Sequence, residues 1–179
     1  YRDARANRHA IRARQRAEWN VGADDILVLT VGKLSQRKRA SDVIEAAAIC
    51  CTSKAASKVC FVIAGDGVEL TALRQRVQRE QLPVLFLGFV NVDQLTKVYA
   101  ACDLIAHPAA ADPHPLVMSE AACICMPLIV SDRVGAVGPT DIAREGANAI
   151  VFPVGDAAAL ARIVCELAAD PERIARMSA

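Results

Sequence analysis

Hydrophobic positions along the chain fall into short continuous runs separated by longer segments of helical periodicity. "DILVLTVG" (25–32) and "KVCFVIAG" (58–65) are apolar at nearly every position and end in glycine. A half-exposed strand would alternate, so such runs predict strands buried on both faces. Shorter runs of the same kind are "VLFLG" (84–88), "DLIAHP" (103–108), "PLIVS" (127–131) and "AIVFPV" (149–154). Between them, residues 41–51, 66–81, 92–102, the run from 115, 156–170 and 171–179 carry helical patterns. Ser41 or Asp42 is the expected cap of the first of these, and Pro171 the expected start of the last. Strands alternating with amphipathic helices predict an α/β fold, a Rossmann-like parallel sheet of about six strands with helices on both faces. Ligands of such sheets sit at the carboxyl ends of the strands, which directs attention to the loops after Val31, Ala64, Leu87, Ala106 and Val130.

Residues 1–24 precede this alternation and read as a basic lead-in helix, with Arg2, Arg5, Arg8, Arg12, Arg14 and Arg16 expected on a solvated face. The α/β domain is assigned to 25–179. The chain opens without Met inside a helix-like run, which predicts a piece of a longer protein.

Composition narrows the classes. A 54% hydrophobic content with a net charge of +1 is that of a folded core and gives no global field for nucleic acid. The apolar runs are too short to cross a bilayer. Seven cysteines, an odd number without zinc-ribbon spacing, predict reduced and mostly buried thiols and a cytoplasmic setting.

Three loops carry candidate chemistry. "GKLSQRKR" after the first strand places Gly32, Lys33 and Lys38 where two ammonium groups could grip a diphosphate. "AGDG" after the second places Gly65 and Gly67 where backbone could approach a ligand closely. "DPHPLVMSE" (112–120) sets Asp112 before a helix and Glu120 on it. The amides of Leu116 and Val117 would be free donors at that helix start. Each carboxylate is an acceptor for paired hydroxyls such as those of a sugar. Alone, each loop also reads as an ordinary surface turn.

Taken in order, the segments resemble the C-terminal half of GT-B glycosyltransferases, and in particular glycosyltransferase family 4. "VGKLSQRKR" is similar to that family's "vGRLsxxKG", and "FVIAGDGVELTALRQ" to its "l.ivGdGpe...l". "VLFLGFVNVDQLTKVYAACDLIAHPA" is similar to "v.flGfv…l…y..adv.v.PS". "DPHPLVMSEAACICMPLIVSD" resembles "EpfGlvxlEAmAcGxPVvasd", whose acids form an E-x(7)-E motif. "GPTDIAREGANAIVFPVGD" resembles the closing "ipEiv.dg.nGllvppgd". The likeness runs from about residue 25 to 169.

The resemblance implies that Lys33 and Lys38 hold the diphosphate, Glu120 the ribose, and Asp112 the donor sugar. It implies phosphate at the Leu116 and Val117 amides and the nucleobase against the backbone near Val90. It further implies a retaining transferase using a UDP, GDP or ADP sugar, with no cofactor and no metal. A glycan or lipid acceptor and an N-terminal Rossmann-like partner domain follow, with no nucleic acid. So does a cytoplasmic enzyme, at the membrane surface where the acceptor is lipid. This half alone is expected to be inactive. Several positions depart from the pattern: Asp112 stands for Glu, Lys33 for Arg, His114 for an aromatic, and Pro115, Cys125 and Ala149 for Gly. They feed a rival reading, a divergent non-catalytic half that binds nucleotide or serves as an interaction module. A dinucleotide-binding domain is disfavoured, because no G-x-G-x-x-G follows the first strand.

Overall fold

The computed structural model describes residues 1–53 and 58–178. Six strands form one sheet: β1 (Ile26–Val31), β2 (Val59–Ala64), β3 (Val84–Gly88), β4 (Leu104–His107), β5 (Leu128–Ser131) and β6 (Ala149–Phe152). Every pairing is parallel, and the order is β3-β2-β1-β4-β5-β6. The chain thus winds outward from β1 in one direction, then returns to start again at β4. The seam between β1 and β4 is the topological switch point of a doubly wound sheet.

The helices are α1 (Arg2–Ala6), α2 (Arg8–Glu18), α3 (Ala40–Cys51), α4 (Leu70–Glu80), α5 (Val92–Ala101), α6 (Leu116–Cys123), α7 (Ala157–Ala169) and α8 (Pro171–Met177). On one face Leu27 and Leu29 of β1 pack with Tyr99 of α5 and Met118 of α6. On the other, Val28 and Phe61 pack with Val43 of α3 and Leu160 and Val164 of α7. Burial on both faces is why the strand sequences are apolar without alternation. Asn91 caps α5 by accepting from Gln94 N at 3.0 Å, and Asp156 caps α7 by accepting from Ala159 N at 2.8 Å.

Four expectations change. First, α3 is not capped by Ser41 or Asp42. Arg39, in the left-handed region at φ 54°, precedes it, and its guanidinium grips Asp42 at 2.6 and 2.9 Å. Second, residues 66–69 form a loop ahead of α4, because Gly67 packs against the backbone of Leu34 rather than entering a helix. The last helix was expected to reach Ala179, which lies outside the described residues.

Third, the basic N-terminal run is not a solvated face. It divides at Asn7 into α1 and α2, and α2 lies against α5. Arg16 is buried, donating to Asp103 Oδ2 at 2.6 Å and to the carbonyls of Gly22, Ala23, Asp25 and Ala101 at 2.7–3.1 Å. Arg12 donates to Asp103 Oδ1 at 2.5 Å, and Arg8 to Cys102 O at 2.8 Å. These guanidiniums satisfy carbonyls at the end of α5 and in the turn before β1, groups that would otherwise be buried without donors. Arg2, Arg5 and Arg14 remain exposed.

Fourth, the cysteines are mostly not buried. Only Cys50 and Cys102 are; Cys51 and Cys123 are exposed, and Cys60, Cys125 and Cys165 are intermediate. Neighbouring helix positions point about 100° apart, so Cys50 faces the core while Cys51 faces water.

Candidate functional site

The three candidate loops all leave the carboxyl ends of strands. After β1, Gly32 and an exposed Lys33 lead through Leu34 to Lys38. After β2, Gly65 lies directly against Gly32: a Cβ there would come within 1.9 Å of Gly32 O. No other residue permits that contact, so the glycine lets two loop backbones stack at the strand ends. Between them opens a cleft of about 710 Å³, lined by Gly32, Lys33, Gly65, Gly67 and Val90. Its walls are otherwise largely apolar and include Val68 and Phe89, which are 86% and 81% exposed.

The other candidates, Lys38, Asp112, Leu116, Val117 and Glu120, are not among these walls. Two of them meet at the switch point. Ala110 N donates to Arg37 O at 2.8 Å, tying the loop after β4 to the loop after β1. Beside that tie, Lys38 Nζ donates to Asp112 Oδ2. His107, the last residue of β4, places Nε2 2.8 Å from the same oxygen. The loop after β5 completes the frame. Gly135 N donates to Asp112 O at 2.8 Å, and a Cβ on Gly135 would fall 1.9 Å from Pro113 O.

The electrostatics follow from this packing. Burial works against ionisation of Asp112, but hydrogen bonds from Lys38 and His107 outweigh it and hold the carboxyl below the usual range. Burial pushes the His107 imidazole below its ordinary value, and the nearby ammonium of Lys38 adds to that despite the opposing carboxylate. At neutral pH the group is therefore a neutral imidazole, an ionised carboxylate and a lysine.

Helix α6 begins after Pro115, which has no side-chain bond to offer as a cap. The amide of Met118 returns to Pro115 O at 3.1 Å, so Leu116 and Val117 supply the first amides of the helix. One turn on, Glu120 Oε2 accepts from the Tyr99 hydroxyl at 2.8 Å. Burial, reinforced by Glu120, raises the Tyr99 phenol well above its normal value, so it stays a donor. Sequence reasoning missed Tyr99, whose only signal was an aromatic on the inner face of α5. His107 carries no motif of its own in the sequence, and its bond to Asp112 exists only once β4 and the following loop are folded. His114 is exposed.

Cys125 occupies a left-handed conformation at φ 57°. The glycine expected there by resemblance marked a backbone requirement, which this chain meets with a side chain in place. Among the described residues no group of three His, Cys, Asp or Glu side chains is arranged to hold a metal ion.

A doubly wound parallel sheet with glycine-containing loops and a Lys38–Asp112 pair at its switch point defines a Rossmann-like α/β domain. Residues 11–179 match the family described as glycosyl transferases group 1, and the chain belongs to it. It is the C-terminal, Rossmann-like domain of a GT-B glycosyltransferase.

The chain is 32% identical over 144 residues to an uncharacterised glycosyltransferase of Methanocaldococcus jannaschii, covering 77% of this chain and 35% of that protein. It is 31% identical over 170 residues to a GDP-mannose-dependent alpha-(1-6)-phosphatidylinositol dimannoside mannosyltransferase of Mycobacterium tuberculosis, covering 93% of this chain and 42% of that one. An Anabaena protein solved in complex with UDP and glucose superposes with a TM-score of 0.82 at 26% identity, over 94% of this chain and 45% of its own. The chain therefore spans less than half the length of these relatives. The C-terminal domain of a Francisella tularensis glycosyl transferase group 1 protein has a TM-score of 0.79 at 18% identity, over 93% and 87% of the two chains. That last likeness is one of fold.

Proposed function

We propose that this chain is the donor-binding half of a retaining glycosyltransferase that moves a sugar from a nucleoside diphosphate to a glycan or lipid acceptor. The observation that carries the reading is the meeting of Lys38 and Asp112 at the β1/β4 seam, on the same carboxyl edge of the sheet as the glycine-lined cleft. The GDP-mannose dependence of one relative and the UDP and glucose held by one structural neighbour support a nucleotide-sugar donor.

In this reading the nucleobase lies against the backbone near Val90, and Gly32, Gly65 and Gly67 allow close approach to the nucleotide. Glu120, held by Tyr99, accepts from the ribose hydroxyls. Asp112 accepts from a hydroxyl of the donor sugar. Bond cleavage at the sugar leaves negative charge on the departing diphosphate. Lys33, Lys38 and the amides of Leu116 and Val117 offset that charge without reorganising, which is how fixed donors lower such a barrier. These groups supply positive charge, so no metal or cofactor is invoked.

An N-terminal Rossmann-like domain would face the carboxyl edge, where Val68, Phe89 and Leu116 are exposed, and supply the acceptor site. The 179-residue chain would then bind donor without transferring it. The reading places the enzyme in the cytoplasm, at the membrane surface if its acceptor is a lipid. A rival, a non-catalytic binding half, draws on Pro115, whose nitrogen has no hydrogen to give a ligand at the α6 start.

Titration calorimetry of this chain with UDP, GDP and ADP, with and without a chelator, tests the binding claim. One of the three should bind, equally well in chelator; no binding by any of them defeats it. Transfer by the full-length protein separates the enzyme from its rival.

A further inference from the structure

Asp112 is one methylene shorter than a glutamate, and its carboxylate lies within reach of the strand that precedes it. His107 closes β4 with its side chain 3% exposed, and its Nε2 stands 2.8 Å from Asp112 Oδ2. A neutral imidazole carries one N–H, and an ionised carboxylate only accepts. The proton in this bond therefore sits on Nε2, and His107 is the donor. Lys38 Nζ donates to the same oxygen. Oδ2 thus has two donors, while Oδ1 takes no hydrogen bond among the described residues.

We propose that His107 is a positioning residue for the donor sugar: its Nε2–H, with Lys38, fixes the rotation of the Asp112 carboxylate so that Oδ1 is the oxygen left to accept from a sugar hydroxyl. This rests on the nucleotide-sugar reading above. It assigns to a strand-end histidine the task of directing a shortened acid. Among the described residues, the charged groups that act on the ring are Asp112 and Lys38, both from loops at the seam. The arrangement costs little to maintain, because the ring is already locked by burial and loses no further freedom when the sugar arrives.

The consequence is selective. His107 touches neither base nor phosphate in this scheme, so its loss should fall on the sugar alone. Calorimetry should compare UDP with UDP-glucose, and GDP with GDP-mannose, on the unaltered chain and on His107→Leu, His107→Gln and His107→Asn. The affinity ratio of conjugate to diphosphate should drop about tenfold in His107→Leu, the scale of one hydrogen bond to a charged group. His107→Gln, whose amide reaches the place of Nε2, should restore most of the ratio, and His107→Asn, which falls short, should not. This contrast between two amides serves even if the leucine variant fails to fold. A merely structural histidine would lower both affinities together. An unaltered chain that binds both ligands of a pair, with variants that weaken them equally, overturns the role of His107 alone. An unaltered chain that binds neither pair overturns the nucleotide-sugar reading and this role with it. Nitrogen NMR of the His107 ring gives a ligand-free check. It should show the Nε2–H tautomer, and Asp112→Ala should relax it towards a mixture; an Nδ1–H ring in the unaltered chain overturns the proposal.

Discussion

Lys38 and Asp112, 74 residues apart in sequence, share a hydrogen bond across the point where the sheet reverses its order. One leaves β1 and the other leaves β4, so the pair exists only because those strands are neighbours. The sequence reading gave the two residues separate tasks, phosphate for Lys38 and sugar for Asp112. Their contact means the tasks are coupled. Lys38→Ala should weaken a nucleoside diphosphate by about 1.5–3 kcal/mol while sparing the bare nucleoside, as expected for a hydrogen bond to a charged group. In a double-mutant cycle with Asp112→Asn, the coupling should be about 0.5–3 kcal/mol. Calorimetry of the four proteins measures both; strict additivity would show that the bond has no energetic weight.

Tyr99→Phe removes the hydroxyl that holds Glu120 and leaves the packing of a fully buried ring in place. Binding of nucleosides and nucleoside diphosphates should weaken alike, by about 1 kcal/mol. The same variant should leave the conjugate-to-diphosphate ratio unchanged. A loss confined to the phosphorylated ligands would remove Glu120 from the ribose.

Cys125→Gly should stabilise the chain by about 1 kcal/mol, read as a shift in the urea midpoint. A side chain at φ 57° crowds its own backbone, and glycine does not. Part of the gain is returned through the greater freedom of glycine in the unfolded chain. Cys125→Ala keeps the strain and should show no such gain.

Arg16→Ala would leave Asp103 with a lost partner and several buried carbonyls without their donor. Breaking a buried ion pair from one side costs about 3–5 kcal/mol. The urea midpoint should fall accordingly. Arg14→Ala, on the exposed side of the same helix, should change stability by less than about 0.5 kcal/mol, as for most surface substitutions. Similar effects for the two would mean that α2 is not docked as described.

Acid should destabilise the seam in two steps. His107 has a folded-state pKa below its ordinary value of about 6.5, so the unfolded chain binds its proton first. Stability contributed by the neutral ring is whole above that value and is lost as pH falls below it. Asp112 is likewise depressed, so its contribution is whole above about 3.9, the ordinary Asp value, and drains away below. Thermal melting between pH 7.5 and 5 should show the first loss, and His107→Gln should flatten it. A profile unchanged by that substitution would mean the ring is not buried as a neutral group.

The sheet was legible because its cause is local. Strands buried on both faces must be apolar throughout, and runs such as 25–32 and 58–65 have no other economical reading. The loops followed from strand polarity: in a parallel sheet every carboxyl end lies on one edge, so Lys33, Gly65 and Val90 had to come near one another. Spacing also placed Asp112 before a helix and Glu120 one turn within it. Tertiary structure decided which side chains answer one another. Nothing in the spacing of His107, Lys38 and Asp112 indicates that all three meet on one oxygen, since that depends on β4 lying beside β1. The N-terminal arginines show the same limit. Periodicity presents them as a charged face, and charge is ordinarily solvated. Only the packed structure reveals that carbonyls at the end of α5, with Asp103, are the acceptors these guanidiniums serve. Local pattern reports what each segment must bury or expose, whereas the pairing of polar groups is set by distances between segments that touch only after folding.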